Sequence, residues 1–499
     1  MTEPFIELRD IGKRFAGVRA LDGVSLALMP GEIHCLAGEN GSGKSTIIKV
    51  LSGVHQPDDG EILIDGKPVR ALSPMESIRH GVQVIYQDFS LFGNLTVAEN
   101  LATNTILRER RRLVNWTSVR KLARDALDRL GVDLDLDAEV GSLPTAGKQI
   151  VAIARALMSD ARLLIMDEPT TALTRNEVDA LFRIVRDIQR QGIAVLFVSH
   201  KMREMLEISE RMTVIRNGRK VVEGPTGNFD ESSLIRAMTG QDIRDERYVW
   251  TPAPGTAAPR LEVRNLSLPG SFEDLTLSLL PGEIVGLSGL LGSGRTEMAL
   301  ALFGLKTGFT GEIRIDGRPV HPKTVQEAIG LGVAYVPEDR LTEGLFLNQS
   351  INRNMLASSY ETHARLSVID RDKVADLATG MIGAMHIATP TGEKPVGQLS
   401  GGNQQRVVIA RWLLTEARIL ILNGPTVGVD VGSKAEIHRI IRGLARDKGL
   451  SVLMISDDVP ELVQNCNRII VMHRGRFVEE LEAAATTEEQ VADLLKTLR

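Results

Sequence analysis

Gly38-Glu39-Asn40-Gly41-Ser42-Gly43-Lys44-Ser45, followed by Thr46, matches the pattern GxxxxGK[ST] at every constrained position. It follows the apolar run EIHCLA (32–37) and opens the helix-like segment IIKVLSG (47–53). That strand–loop–helix setting gives the motif its meaning. The glycines let successive backbone N–H groups turn inward around phosphate oxygens, and the helix N-terminus adds partial positive charge. Lys44 supplies a point charge for the β- and γ-phosphates of a nucleotide, and Ser45 supplies an oxygen for Mg²⁺.

Downstream, LLIMDE (163–168) is a wholly apolar run ending in two acids. Short continuous apolar runs such as this and AVLFVS (194–199) suit strands buried on both faces of a parallel sheet. At such a strand tip Asp167 can hold the Mg²⁺ hydration shell, and Glu168 can polarise an attacking water. His200 closes VLFVSH on the same expected sheet edge.

The chain repeats itself. PGEIHCLAGENGSGKST (30–46) returns as PGEIVGLSGLLGSGRTE (281–297), and DGEILIDGKPVR (59–70) as TGEIRIDGRPVH (310–321). IELRDI (6–11) returns as LEVRNL, LLIMDEPTTAL (163–173) as LILNGPTVGV (420–429), and VLFVSH as VLMISD. The reading is therefore two α/β domains, 1–246 and 261–499, joined by a Pro/Ala/Gly-rich linker at 247–260. Residues 117–137 carry helical spacing in their first half and read as part of a helical insertion.

Composition bounds the rest. The 499 residues are 43% hydrophobic and 25% charged, with net charge −5. No overall basic field is available for nucleic acid, so none is expected as a partner. Two cysteines, Cys35 and Cys466, cannot build a disulfide framework or a Cys-rich metal site, and read as buried thiols. The N-terminus lacks the apolar core of a signal peptide, and nowhere do 18 apolar residues run together. The expectation is a soluble, reduced, cytoplasmic chain that serves a membrane only through partners.

Together these motifs resemble tandem ATP-binding-cassette proteins over essentially the full length. More closely, the chain is similar to the two-cassette ATPase subunits of bacterial monosaccharide (ribose-, galactoside- or xylose-type) ABC importers. LSGGNQQR (399–406), GLLGSGRTE (289–297) and YVPEDR (335–340) carry that closer likeness. The resemblance implies two P-loop ATPase domains, each a RecA-like α/β core with a β-rich N-terminal subdomain and a helical subdomain. It implies a Q-loop at Gln87, also a Mg²⁺ contact, and a D-loop near Ala172-Leu173-Thr174. It further implies a switch histidine at His200 and an adenine-stacking aromatic at Phe15.

Cassettes of this family bind ATP between two domains packed head to tail. The competent site is then expected to join Phe15, residues 38–46, Gln87, Asp167, Glu168 and His200 to Ser400, Gly401 and Gly402. Lys44, Glu168 and His200 are its catalytic residues. The second site departs throughout. Its loop has Gly289, Gly292, Gly294, Arg295 and Thr296. Glu338 stands for Gln87, Asn423 for Asp167, Gly424 for Glu168, and, at constant offset, Ser456 for His200. The facing first-half signature carries Pro144, which has neither hydroxyl nor N–H. A guanidinium fork does not replace an ammonium unchanged. The second site is expected to hold ATP statically or weakly without hydrolysing it.

The family places a groove for a permease helix after the Q-loop. Here Phe89, Leu91, Phe92 and Leu95 in DFSLFGNLTVAEN (88–100) are expected to form an apolar surface. The second-half counterpart is 341–355. The implied partners are two integral-membrane permease subunits and an extracytoplasmic solute-binding protein. The implied location is the cytoplasmic face of the inner membrane, as a peripheral subunit. Two further readings stay open: a soluble tandem-cassette translation factor, or an importer ATPase for nucleosides, quorum signals or polyols. The former normally carries a long charged linker and two catalytic sites.

Overall fold

The computed structural model describes residues 3–15, 18–109, 115–170, 173–199, 201–240, 247–250, 258–360, 364–365, 368–369 and 371–498. The chain divides into two compact units, Met1–Ile243 and Arg244–Arg499.

In the first unit the strands Ile33–Ala37, Ala194–Val198 and Leu163–Asp167 are apolar on both faces and almost entirely buried. Buried on both sides, they sit inside a sheet. The six-stranded order is Arg219–Pro225, Arg211–Arg216, Ile33–Ala37, Ala194–Val198, Leu163–Asp167, Val82–Ile85. All neighbours run parallel except the first pair, an antiparallel hairpin at one edge. The carboxyl ends of five parallel strands therefore line one edge, where ligands of open α/β sheets bind.

A separate four-stranded antiparallel sheet runs in the order Val18–Leu28, Ile6–Phe15, Asp59–Ile64, Lys67–Val69. Its alternating burial marks one covered face. The helices Val97–Glu109, Trp116–Arg129 and Thr145–Leu157 share their own apolar core, built around Leu101, Val119, Ala123, Leu127 and Val151. This is the expected helical insertion, and residues 117–129 lie in its second helix.

The second unit repeats the plan. Its six-stranded sheet runs Arg476–Glu482, Arg468–His473, Ile284–Gly289, Ser451–Ile455, Ile419–Asn423, Val333–Val336, again with one antiparallel edge pair. Its antiparallel sheet and helical part recur in the same places.

Part of the stretch expected as linker is built into the second unit. Tyr248 is buried, and its hydroxyl donates to the Gly282 carbonyl at 3.0 Å. Arg247 reaches the Ala483 carbonyl at 3.3 Å. The Trp250 indole lies so close to Gly282 that a Cβ there would meet Nε1 at 2.8 Å. Two aromatics carry more apolar area than a free connector leaves in water. Both cysteines are buried, and burial pushes both thiols above their ordinary value.

Candidate functional site

The phosphate loop joins strand Ile33–Ala37 to helix Lys44–Leu51. Gly43, at φ 113°, caps that helix, and a Cβ there would meet the Ala20 carbonyl at 2.9 Å. A Cβ at Gly38 would strike the Ile215 carbonyl at 2.4 Å. The loop is thus wedged between two strands and only glycine fits its turns. Lys44 is buried, and its ammonium donates to the carbonyls of Gly38 at 2.7 Å and Glu39 at 2.9 Å. The Ser42 hydroxyl is buried with no hydrogen-bond partner among the described residues, which suits a loop shaped for an added acceptor. Glu39, Asn40, Gly41, Ser45 and Thr46 complete the turn and the helix's first residues.

Strand order brings the other expected residues to the same edge. Asp167 ends its strand opposite Val198, and Gln87 lies exposed just beyond Val82–Ile85. Burial and the neighbouring Glu168 push the Asp167 carboxyl upward, while Lys44 and Lys49 draw it back. A half-buried carboxylate in that state is short of positive charge. With the Ser45 hydroxyl it forms a hard-oxygen donor set of the kind Mg²⁺ takes, so the residues present fit that ion.

Glu168 sits in the left-handed region at φ 49°, held by its N–H to the Val198 carbonyl at 2.8 Å. A non-glycine residue held there stores strain, a frequent mark of a working site. Phe15 ends strand Ile6–Phe15 and is 40% exposed, edge-on to His55 with ring centroids 5.0 Å apart. It is a surface aromatic rather than core. His200 and Ala172 lie outside the described residues; Leu173 and Thr174 lie within them, and Thr174 caps helix Arg175–Arg190.

The second unit keeps the backbone of this site and changes its side chains. Gly289, Gly292 and Gly294 repeat the φ values of Gly38, Gly41 and Gly43 to within about twenty degrees. Arg295 and Thr296 begin helix Arg295–Leu302 as Lys44 and Ser45 begin theirs. Asn423 is buried, and its amide lies 3.3 Å from the Tyr335 hydroxyl and 3.4 Å from Thr296 Oγ1. Gly424 takes the left-handed conformation of Glu168, at φ 59°, with its N–H on the Ile455 carbonyl at 2.8 Å. Glu338 is exposed, as Gln87 is.

Strand register corrects one expected equivalence. Ile33 pairs with Val195, and Ile284 pairs with Val452. Ser456 is therefore the counterpart of Ser199, and Asp457 that of His200. Helix Val431–Lys448 is two residues longer than helix Arg175–Arg190 and the connection after it one shorter, so a constant offset drifts by one position across them. The matched segments VLFVSH and VLMISD already set Asp457 opposite His200, and the constant offset passes over it. The Asp457 carboxylate lies 2.6 Å from Arg295 Nη2.

A second missed feature braces the strand tips. In the first unit Thr170 Oγ1 donates to buried Glu204, which also pairs with Lys201 at 3.1 Å. In the second, buried Glu461 accepts from Thr426 at 2.7 Å and from Ser456, and meets His438 Nε2 at 2.6 Å. The acid recurs within the repeat, which was the available signal.

The signature segments differ in kind. Ser400 caps helix Gly401–Leu413, and its hydroxyl accepts from the Asn403 amide at 2.9 Å. A Cβ at Gly402 would meet Ser433 Oγ at 2.2 Å. Pro144 occupies the matching cap of helix Thr145–Leu157.

Of the expected apolar surface, Phe92 is 51% exposed, whereas Phe89 and Leu91 pack against the core and Leu95 is half-buried. Left-handed turns at Phe89 and Ser90 fold the chain back, and Arg155 holds both carbonyls. The second unit repeats the feature with Phe346, 60% exposed.

The arrangement defines a class: two phosphate-loop units in one chain, with the acid pair complete in the first alone. The family model described as "ABC transporter" matches residues 21–171 and 272–427, and the chain belongs to this family. It is 44% identical to the ribose import ATP-binding protein RbsA 1 of Rubrobacter xylanophilus, over 98% of both chains. It is 43% identical to ribose import ATP-binding protein RbsA 2 of Streptomyces avermitilis, over 98% of this chain and 96% of that one. It is 40% identical to ribose import ATP-binding protein RbsA of Corynebacterium glutamicum, over 98% and 93% respectively.

Proposed function

We propose that this chain is the ATP-hydrolysing subunit of an ABC importer for ribose or a related monosaccharide. The observation that carries the reading is the carboxylate pair at the tip of strand Leu163–Asp167. It stands on the same sheet edge as the phosphate loop, with Asp167 short of positive charge. Lys44 and the loop N–H groups bind the phosphates, Phe15 offers a stacking face for adenine, and Asp167 with Ser45 and Gln87 holds Mg²⁺. Bound there, Mg²⁺ would neutralise charge developing on the transferred phosphoryl group. Glu168 orients and deprotonates the attacking water, and His200 contacts the terminal phosphate.

The second unit supplies Ser400, Gly401 and Gly402 to complete this site, and the second phosphate loop does not hydrolyse. Support comes from how the motifs are distributed. The first unit has the acids and Pro144 at its signature; the second has Ser400 at its signature and Asn423-Gly424 in place of the acids. Phe92 and Phe346 present the same exposed aromatic in each unit, and a cleft of about 270 Å³ adjoins Phe92, Ser90 and Arg155. These faces suit two permease subunits, with a solute-binding protein on the far side of the membrane and this chain peripheral on the cytoplasmic face. Among the described residues no helix is long and apolar enough to cross a membrane.

The test is steady-state ATPase activity of Lys44→Ala and Ser400→Arg beside the unaltered chain. Both substitutions abolish turnover if the reading holds. Normal turnover in Lys44→Ala overturns the site, and normal turnover in Ser400→Arg overturns the pairing.

A further inference from the structure

The cation of the second phosphate loop already has an anion. Arg295 is buried, with Nη2 on Asp457 Oδ1 at 2.6 Å and Nη1 on the Ser456 carbonyl at 3.4 Å. Asp457 belongs to no strand or helix; it stands one residue beyond Ser456, at the tip of strand Ser451–Ile455. In the first unit the Lys44 ammonium donates to two loop carbonyls, and the position of Asp457 is a histidine.

We propose that Asp457 is an internal counter-anion that keeps nucleoside triphosphate off the second phosphate loop. This deepens the reading of the second unit as non-hydrolytic, and rests on it, by naming what its loop cation holds instead. Loss of the nucleotide does not follow from the backbone, because the glycine turns and the helix start are retained. It follows from charge. A triphosphate entering the loop must compete with Asp457 for Arg295, and then lie beside that carboxylate. Asn423 has replaced the acid that would hold a metal ion to offset the repulsion. Glu297 adds a further carboxylate in the first turn of helix Arg295–Leu302, where the first helix has none. An acid there lowers the positive potential that a helix end offers phosphate, although Lys306 Nζ stands 3.8 Å from its carboxylate. The Asp457 side chain is 71% exposed, so the pair adds little to stability; its effect on the ligand is one of position.

The experiment uses the full chain with Lys44→Ala, which silences the first loop, and measures equilibrium binding of radiolabelled MgATP. Adding Asp457→Ser or the isosteric Asp457→Asn is expected to tighten binding at least about tenfold, and adding Arg295→Ala to either is expected to abolish the gain. Unchanged affinity in both Asp457 variants overturns the proposal, as does a Lys44→Ala chain that already binds as tightly as the unaltered one. Should Asp457→Ser fail to fold, the Asn variant decides. With Lys44 intact, stoichiometry separates the two readings. The expected values are one nucleotide per chain, and two with Asp457→Asn. A chain that binds none with Lys44 intact, yet gains one on Asp457→Asn, refutes the first-unit site and upholds Asp457.

Discussion

Glu168 and Gly424 occupy the same left-handed position at the tips of equivalent strands, at φ 49° and 59°. Replacing Glu168 by Gly and by Gln separates two things the glutamate does there. Both variants lose the carboxylate charge; Gln keeps the side chain's length and one acceptor oxygen, so the left-handed backbone is the main difference between them rather than the sole one. A non-glycine residue in the left-handed region costs roughly 1–2 kcal/mol. Glycine gives back about 0.5–1 kcal/mol through the freedom it gains in the unfolded chain. Glu168→Gly is therefore expected to be more stable than Glu168→Gln by about 0.5–1 kcal/mol, or roughly 1–4 °C in Tm for a unit of this size. On the proposed role of Glu168 as general base, both variants are expected to lose about 10²–10⁴-fold in turnover. Calorimetry on the nucleotide-free full chain and steady-state ATPase measurements read the two effects. A Gln variant as stable as the Gly variant refutes the strain argument. Turnover near half that of the unaltered chain in either variant shows that the Asn423-Gly424 site is hydrolytic, and refutes the asymmetric reading.

Asp167→Asn is expected to raise the Tm of the nucleotide-free chain at neutral pH. An acid whose folded pKa is raised above the unfolded value penalises the fold once pH rises above that unfolded value; the same variant should lose Mg²⁺-dependent stabilisation by ATP in a thermal-shift titration. Burial works against ionisation of Glu461, but the hydrogen bond and charge of His438, with Lys434 and Ser456, hold its carboxyl at about 2. Its contribution is thus complete above about pH 4.5 and lost as pH falls toward 2, so Glu461→Gln should lower urea stability at pH 7 and flatten the acid limb of the second unit. Phe92→Ser with Phe346→Ser should abolish co-purification with permease subunits while leaving basal ATPase within about twofold, since exposed side chains contribute little to stability; intact co-purification would count against these faces.

How much of this was legible in the sequence depends on which interaction decides each feature. The phosphate loop, the apolar strands and the repeat are written in local chemistry: glycines where φ is positive, apolar runs where both faces are covered, acids at a strand tip. These could be placed from residue types alone. The fate of Phe89 and Leu91 could not, because left-handed turns and the Arg155 guanidinium decide it, and both are set by tertiary contacts. Tyr248 and Trp250 sit in a stretch whose Pro/Ala/Gly content marks a connector, yet two large rings outweigh that content by packing on the second unit. Asp457 ends the segment VLMISD that matches VLFVSH, but an offset held constant across the lengthened helix passes over it and puts Ser456 in the wrong role. Strand pairing resolved it because hydrogen-bond register counts residues in space rather than along the chain.

The second unit shows which parts of a nucleotide site the fold itself requires. The loop turns at Gly289 and Gly294 persist because a Cβ there would strike the Met472 and Ser271 carbonyls; they are packing constraints whether or not phosphate ever binds. The acids are under no such constraint. Asp167 is a liability to the empty fold, and Glu168 is held in a strained backbone, so neither is there for the stability of the fold. Where they are gone, the vacated space has been refilled. Restoring the glutamate at Gly424 requires two exposed side chains to shift, because a Cβ there meets Val427 Cγ2 at 2.9 Å and Glu338 Cγ at 3.1 Å. Asn423 has turned to the Tyr335 hydroxyl, where the first unit has Val84. A Gly424→Glu, Asn423→Asp double variant is therefore expected to remain without hydrolysis at the second loop and to be destabilised by roughly 1–2 kcal/mol through the left-handed backbone at position 424. Full second-site turnover in that variant, measured with Glu168→Gln in place, would show that the two lost acids alone separate the units, and that neither the refilled space nor Asp457 matters.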